Sequence, residues 1–238
     1  MESERALLLI ADIGGYTNYM QLHRTSLAHA EATTSRLLKR VVEAARGFDL
    51  IEIEGDAAFL SREAGSSDGD GSVAVTTEVA VAMHRAFHAE RRLVAANMCP
   101  CRGCDLAGDL TLKFVAHVGE VATQKIKRRR KLVGIDVIHV HRMLKNPVPV
   151  AEYVLLSEEL YRSGDAAVPE PVHEIEQDLE GIGRVRGYFV EVESIAGPLP
   201  ELPEPSLPRR LGATVGILAR GLPYMLRLRR GREASPAH

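Results

Sequence analysis

Cysteine is scarce in this chain of 238 residues: only Cys99, Cys101 and Cys104, all within positions 99–104. An odd number in one cluster excludes a disulfide framework and agrees with a reducing compartment. Tryptophan is absent and aromatics make up 5% of the residues, which by itself excludes no fold. Excess charge is lacking as well, and a formal balance of −2 gives the whole chain no electrostatic bias towards nucleic acid. The N-terminal "MESERALLLIAD" has no basic leader and too short an apolar stretch for a secretory signal or a membrane span. The expected location is the cytoplasm. What is there is enough chain for one domain of ordinary size with appended segments, or two small ones, around a sizeable core.

The apolar residues fall into recognisable elements. Residues 6–11 read as a buried strand, and 25–46 as an amphipathic helix with Leu37, Leu38, Val41 and Val42 inward, ended by Gly47. "FDLIEIEGDAAFLS" reads as two strands around a tight turn at Gly55-Asp56, followed by the loop "REAGSSDGDGS". Residues 73–96 form a second long helical pattern, with Val79, Met83, Ala86 and Phe87 at helical spacing. "LTLKFVAHVGEVAT" reads as a strand running into another hairpin, "VIHVHRMLKN" as a short helix, "EYVLLS" as a strand and "GRVRGYFVEVES" as a closing strand. The order strand, helix, strand, strand, helix, strand predicts an α+β fold built on a ferredoxin-like split βαβ sheet. A boundary is expected near Ser194, because "AGPLPELPEPSLPRR" is too rich in proline for helix or central strand. The expected organisation is a domain over 1–194, an extended linker over 195–208 and a basic helix or tail over 209–238.

The chemistry-bearing residues begin at the end of the first strand. Asp12 closes an apolar run and Asp56 sits at the hairpin tip, and in a split βαβ sheet the strands bearing them are neighbours, so their carboxylates converge. Two hard oxygen ligands on adjacent strands suit Mg²⁺ or Mn²⁺, which takes its other ligands from water and substrate phosphates. In the loop that follows, the backbone N–H groups of Gly14, Gly15, Tyr16 and Thr17 can point at phosphate oxygens. The plainer alternative is an Asp capping the next helix and an Asp serving a turn.

At these residues the sequence resembles the class III nucleotidyl cyclases, the adenylate and guanylate cyclase catalytic domains. "LLIADIGGYT" resembles that family's strand–Asp–loop segment, and "VVEAARGFDLIEIEGDAAFL" its helix and Gly-Asp hairpin. "LKFVAHVGEV" resembles its His-x-Gly strand, and "VGIDVIHVHRMLKN" the helix carrying its transition-state groups. The resemblance covers 7–194 in the right order. It implies Asp12 and Asp56 as metal ligands with the backbone of Ile13 beside them, Arg142 as the group that stabilises charge on the α-phosphate, and Arg186 near the position of a phosphate-binding lysine. It also implies cyclisation of a purine nucleoside triphosphate to a 3′,5′-cyclic nucleotide in signalling, at a site shared between two domains and hence in a homodimer. A second class of function stays open: a catalytically degenerate module that binds a nucleotide or cyclic nucleotide and signals through a partner or membrane.

Departures from the pattern keep both classes in play. Ile138 stands where the family has a ribose-orienting asparagine four positions before its arginine. If Asp136 is instead matched to the family's aspartate, His139 replaces the asparagine and Met143 the arginine. Glu52, four residues before Asp56, stands at a base-selecting position whose partner is Lys131. Glu52 could accept hydrogen bonds from a guanine edge, or simply pair with Lys131.

Three further features lie outside this pattern. "CPCRGC" can put three thiolates on one Zn²⁺, with His84, His88 or Asp105 as the fourth ligand. Iron–sulfur ligation, redox chemistry and plain reduced thiols are the alternatives. "KIKRRRK", residues 125–131, could grip polyphosphate, nucleic acid or acidic lipid, or be a solvated hairpin tip; it has no interleaved aromatic and so offers no stacking platform for single strands. No specific nucleic-acid partner is expected. Residues 209–232 hold seven arginines and no acid, with Leu211, Val215, Leu218, Leu222, Met225 and Leu226 at helical intervals. That pattern fits a helix lying on an anionic membrane face or an acidic partner, or one packed on its own domain. His117, His139 and His141 read as structural.

Overall fold

The opening apolar run forms β1 (Ser3–Gly14), in which Leu7, Leu8, Leu9 and Ile10 are all fully buried. Successive side chains of a strand point to opposite faces, so continuous burial means that both faces of β1 are covered. The computed structural model describes residues 3–22, 27–65, 72–96, 106–126, 129–164, 168, 171–200 and, without 209 and 213, 206–216. The helices that follow β1 are α1 (Tyr16–Leu22) and α2 (Leu27–Ala44), and then come β2 (Asp49–Glu54), β3 (Ala57–Glu63) and α3 (Ser72–Ala95). Beyond a short 3₁₀ turn lie β4 (Thr111–Ile126), β5 (Arg129–Val133), α4 (Ile135–Arg142), β6 (Tyr153–Ser157), α5 (Glu158–Ser163), β7 (His173–Leu179), β8 (Gly183–Glu191) and α6 (Val192–Ala196).

These strands form an eight-stranded sheet in the order β2-β3-β1-β4-β6-β8-β7, with β5 paired to β4 off that path. The β2-β3-β1-β4 part, antiparallel throughout, is the split βαβ arrangement that the element order predicts. β6 then adds to β4 in parallel, and β8 and β7 continue antiparallel. The protein is thus α+β with a mixed sheet. One core cluster gathers Leu8 and Ile10 of β1, Phe59 of β3, Val115 of β4 and Leu155 of β6 with Val140 of α4 and the Met143 that follows it. Gly47 takes a φ of +80° just past α2 and Gly55 a φ of +65° in the β2–β3 turn, a region that favours glycine.

The chain forms two compact units. One holds the sheet and comprises the segment up to Gly14, Leu38–His88 and Thr111–Glu201. The other comprises Gly15–Leu37, Ala89–Leu110 and the segment from Leu202. Within the second unit Arg36 is paired with Glu90, and Arg210 Nε donates to the carbonyl of Ala96 at 2.7 Å.

Three sequence expectations need adjustment. The helix expected over 25–46 is α2, Leu27–Ala44, and the separate short α1 was not foreseen. β7 was missed: "HEIEQDL" is an edge strand with one paired neighbour, most of its side chains are polar, and the polar Gln177 interrupts the inward face between Ile175 and Leu179. The cysteine cluster at 99–104 and most of the basic tail lie outside the described residues. Helical residues occur at 207–208, inside the expected linker, and at 210–212 and 214–216 of the tail, with Leu207, Leu211 and Val215 exposed. Among the described residues no helix is long and apolar enough to cross a membrane.

Candidate functional site

The register of three strands brings the two acids together. Asp12 is opposite Ala57, the residue after Asp56, and the N–H of Ile13 donates to the carbonyl of Asp56 at 3.2 Å. Asp56 therefore sits beside the end of β1 with its carboxyl near that of Asp12. Burial, and after it the negative charge of Asp12, push the Asp56 carboxyl from its ordinary 3.8 to about 6; its own backbone hydrogen bond and Lys113 act the other way. Lys113 was not foreseen. It lies directly across from Asp12 on β4 and its ammonium is 3.1 Å from Asp12 Oδ2. The available signal was a lone cation between Leu112 and Phe114, both fully buried, which puts its side chain on the opposite face from theirs.

Gly14 has a packing role. A Cβ there would lie 2.2 Å from Thr111 Oγ1, so only glycine lets the ends of β1 and β4 close on each other. Gly15, with φ +82°, and the helix-opening Tyr16 and Thr17 belong to the second unit, where the N–H of Tyr19 donates to the carbonyl of Gly15.

Glu52 is exposed on β2, Lys131 is exposed on β5, and β5 comes against β2. No ion pair joins the two among the described residues. Arg186 on β8 is separated from β1 by β6 and β4, and its guanidinium is engaged by Glu158. Arg142 ends α4 beside the β7–β8 turn: a Cβ on Gly181 would lie 3.0 Å from its Nη1. Within one chain, then, the structure unites Asp12, Asp56 and Lys113, and leaves Arg142 and Arg186 in other parts of the sheet unit.

α4 is anchored by a polar network that sequence reasoning did not find. Asp136, in its first turn, accepts from the N–H of Glu120 at 2.7 Å and pairs with His117 Nε2 at 3.0 Å. The other ring nitrogen of His117 lies 2.8 Å from Ser157 Oγ, and the His139 ring is 4.4 Å from that of His117. Gly119 makes room for this, since a Cβ there would fall 2.3 Å from Asp136 Cγ. The His117 hydrogen bond outweighs burial and holds the Asp136 carboxyl below the usual range; burial and the nearby His117 push His139 down. Ser157 is fully buried and also caps α5 by accepting from the N–H of Leu160, so this Ser-His-Asp chain holds structure and offers no exposed nucleophile. On α4 itself Ile138 is exposed, while His139 and Met143 are buried.

The two carboxylates, at the end of β1 and in the β2–β3 turn, fit a divalent cation. Burial first and the charge of Asp12 second make Asp56 resist ionising, and a cation would relieve both.

Comparison with known proteins agrees with the fold. A family model described as a protein of unknown function, DUF2652, matches residues 34–153. The uncharacterized protein Rv2561/Rv2562 of Mycobacterium tuberculosis is 36% identical over 193 residues, covering 81% of this chain and 88% of that one. Among solved structures, the guanylate cyclase domain of RhGC from Catenaria anguillulae in complex with GTP aligns with a TM-score of 0.57 at 16% identity, over 79% of this chain and 97% of that one. A class III adenylyl cyclase-like ATP-binding protein from Pseudomonas aeruginosa aligns with a TM-score of 0.56 at 19% identity, over 68% of this chain and 35% of that one. At such identities the likeness is one of fold.

Proposed function

The chain belongs to the DUF2652 family and has the fold of the nucleotidyl cyclases, and on that premise we propose that it binds a purine nucleoside triphosphate with Mg²⁺ or Mn²⁺ at Asp12 and Asp56 and cyclises it. The observation that carries this reading is the pair of converging carboxylates, with Asp56 titrating near 6 because of its burial and of Asp12. A turn or a helix cap needs one acid, whereas two acids held in mutual repulsion are an arrangement that a cation completes. When bound, the cation supplies charge neutralisation at the phosphates and acidifies the ribose hydroxyl.

The residues of the chain divide the remaining work. Asp12 and Asp56 hold and orient the cation, with the backbone of Ile13 beside them. Lys113 tempers the charge of Asp12 until a cation arrives. Glu52 and Lys131, on strands that approach each other, are the groups that would read the base. In the reaction the ribose 3′ oxygen bonds the α-phosphorus while the bond from that phosphorus to the pyrophosphate oxygen breaks, and the hydroxyl proton leaves to solvent. Arg142, whose guanidinium lies beside Gly181 of the β7–β8 turn, would serve the α-phosphate from a second copy in a homodimer.

A second reading, a module that binds the nucleotide without turning it over, is favoured by α4. The hold of His117 and Glu120 on Asp136 supports the register in which His139 and Met143 take the places of the family's asparagine and arginine. Both are buried, so neither meets a substrate in this conformation. The deciding experiment incubates the purified protein with ATP or GTP and Mn²⁺ or Mg²⁺ and reads cyclic product by mass spectrometry beside Asp56→Asn. Product that vanishes in the variant supports the cyclase. Calorimetric nucleotide binding without product supports the module, and neither product nor binding overturns both.

A further inference from the structure

On the sheet unit α3 carries His84 and His88, an i, i+4 pair on one helical face. Glu152, in the loop before β6, reaches both. Its Oε2 is 2.9 Å from His84 Nε2 and 3.1 Å from His88 Nε2, and its Oε1 is 2.9 Å from His88 Nε2. The N–H of Leu112 on β4 donates to Oε1 at 2.9 Å. The two histidine side chains are more than nine-tenths buried, and Glu152 keeps 24% of its side chain exposed, a route in from solvent. The sequence reading counted His84 or His88 only as a fourth ligand for the cysteine cluster; Glu152, more than 60 positions on, was not considered.

The geometry points to a metal site that is distinct from the aspartate pair: His84 Nε2, His88 Nε2 and Glu152 Oε2 bind one Zn²⁺-class divalent cation, with water as the fourth ligand. Bonds of about 2.0–2.1 Å in a tetrahedral shell put neighbouring ligands about 3.3 Å apart, so the two Nε2–Oε2 separations, 2.9 and 3.1 Å, need to open by only a few tenths of an ångström. The three side chains offer ligand atoms that all lie within 4.8 Å of one another. Two imidazoles and a carboxylate are a donor set suited to Zn²⁺ and its late first-row neighbours. The carboxylate is already an anion: burial would raise its pKa, but the hydrogen bonds from both histidines hold it well below the usual range. The Leu112 N–H fixes Oε1 and leaves Oε2 directed at both imidazoles, the outer hydrogen bond that ligating carboxylates typically have. Among the described residues His84 Nδ1 is buried with no hydrogen-bond partner, so the polar contact of that ring runs through Nε2. Such a cation ties α3 to the loop before β6 and, through Leu112, to the strand that carries Lys113.

The test uses the full chain with Cys99, Cys101 and Cys104 all changed to Ser, so that thiolates cannot contribute, and with metal stripped by chelator. Zn²⁺ titrated into it should bind at one equivalent that Asp56→Asn does not remove, and should raise Tm. Co²⁺ should give the visible bands of a four-coordinate site without thiolate charge transfer. Glu152→Gln and His88→Gln should each weaken Zn²⁺ more than about 100-fold and abolish the Tm rise. Because either variant could misfold, Zn²⁺ is also followed in the folded parent by ¹⁵N spectra of the imidazoles, where the Nε2 signals of His84 and His88 should move together. Unmoved signals, no bound equivalent, or unchanged affinity in both folded variants overturn the site and leave a hydrogen-bonded trio.

Discussion

Asp12→Asn removes one charge and keeps the shape of the β1 end, so it isolates what Asp12 does to Asp56. The Asp56 carboxyl lies at about 6 against an ordinary 3.8, a gap of about 2 pH units (6 − 3.8). One pH unit corresponds to about 1.4 kcal/mol, which would make the whole perturbation about 3 kcal/mol in a dry site; partial exposure of Asp56 reduces that to roughly half. Burial is the larger cause and Asp12 the second. The backbone hydrogen bond and Lys113 offset part of both, so removing the Asp12 charge should lower the midpoint while the larger burial contribution remains. Carbon-detected NMR of the aspartate carboxyls should find the Asp56 midpoint near 6 in the parent and between about 5 and 6 in Asp12→Asn. A raised carboxyl means that the folded protein binds this proton more tightly than the unfolded chain does. Stability should therefore fall as pH rises from about 4 through 6, and by less in Asp12→Asn. A parent midpoint near 4, or a midpoint that Asp12→Asn leaves in place, would refute the convergence of the two acids.

Four other outcomes follow from the same geometry. Mn²⁺ affinity, measured by electron paramagnetic resonance, should weaken about tenfold per pH unit below 6 as protons compete for Asp56, and an affinity flat from pH 5 to 7 would contradict this. Lys113→Ala should tighten Mn²⁺ roughly three- to tenfold by freeing Asp12 from its ion pair; weaker binding would mean that Lys113 helps to hold the ion. Gly119→Ala drives a Cβ into Asp136 and should destabilise by about 2 kcal/mol or more in urea unfolding, whereas a change within about 0.5 would show that the α4 anchor yields freely. Asp136→Asn should lose about 1–2 kcal/mol at pH 7. Because the folded Asp136 carboxyl is held below its ordinary 3.8, that difference is present above this pH and should vanish as pH falls below it.

The sheet was legible where burial was complete or a turn was obligatory. "ALLLIA" reads as a buried strand and Gly55-Asp56 between two alternating runs as a hairpin, and the element order makes the two neighbours, so the meeting of Asp12 and Asp56 was foreseeable from topology. β7 was illegible because an edge strand tolerates a polar sequence. Lys113 was only half legible: the apolar residues on either side mark its face of the strand, but its pairing with Asp12 follows from the register between β1 and β4, strands nearly a hundred residues apart. The register of α4 was ambiguous in sequence by one residue. The space left by Gly119 and the hydrogen bonds of His117 and Glu120 show Asp136 as its anchor.

That anchor bears on which function the chain can perform. Asp136 fixes the rotation of α4, and an α-helix turns about 100° per residue, so a one-residue change of register redirects every side chain on it. With Asp136 inward at the start, His139 and Met143 fall on the buried face, and Ile135 and Ile138 on the exposed one. Of the α4 positions that the resemblance points to, Arg142 is therefore the one left to do chemistry. Arg142 lies beside Gly181 with its charged end at the β7–β8 turn. Arg142→Ala thus separates the readings cleanly: in a cyclase it should lower turnover by about a hundredfold or more while nucleotide binding persists, because it removes a contact made to developing charge. In a binding module it should leave nucleotide affinity within about threefold and there is no turnover to lose. An Arg142→Ala protein that still cyclises at the parent rate would take α4 out of the chemistry altogether and put the whole reaction on the strands that hold the acid pair.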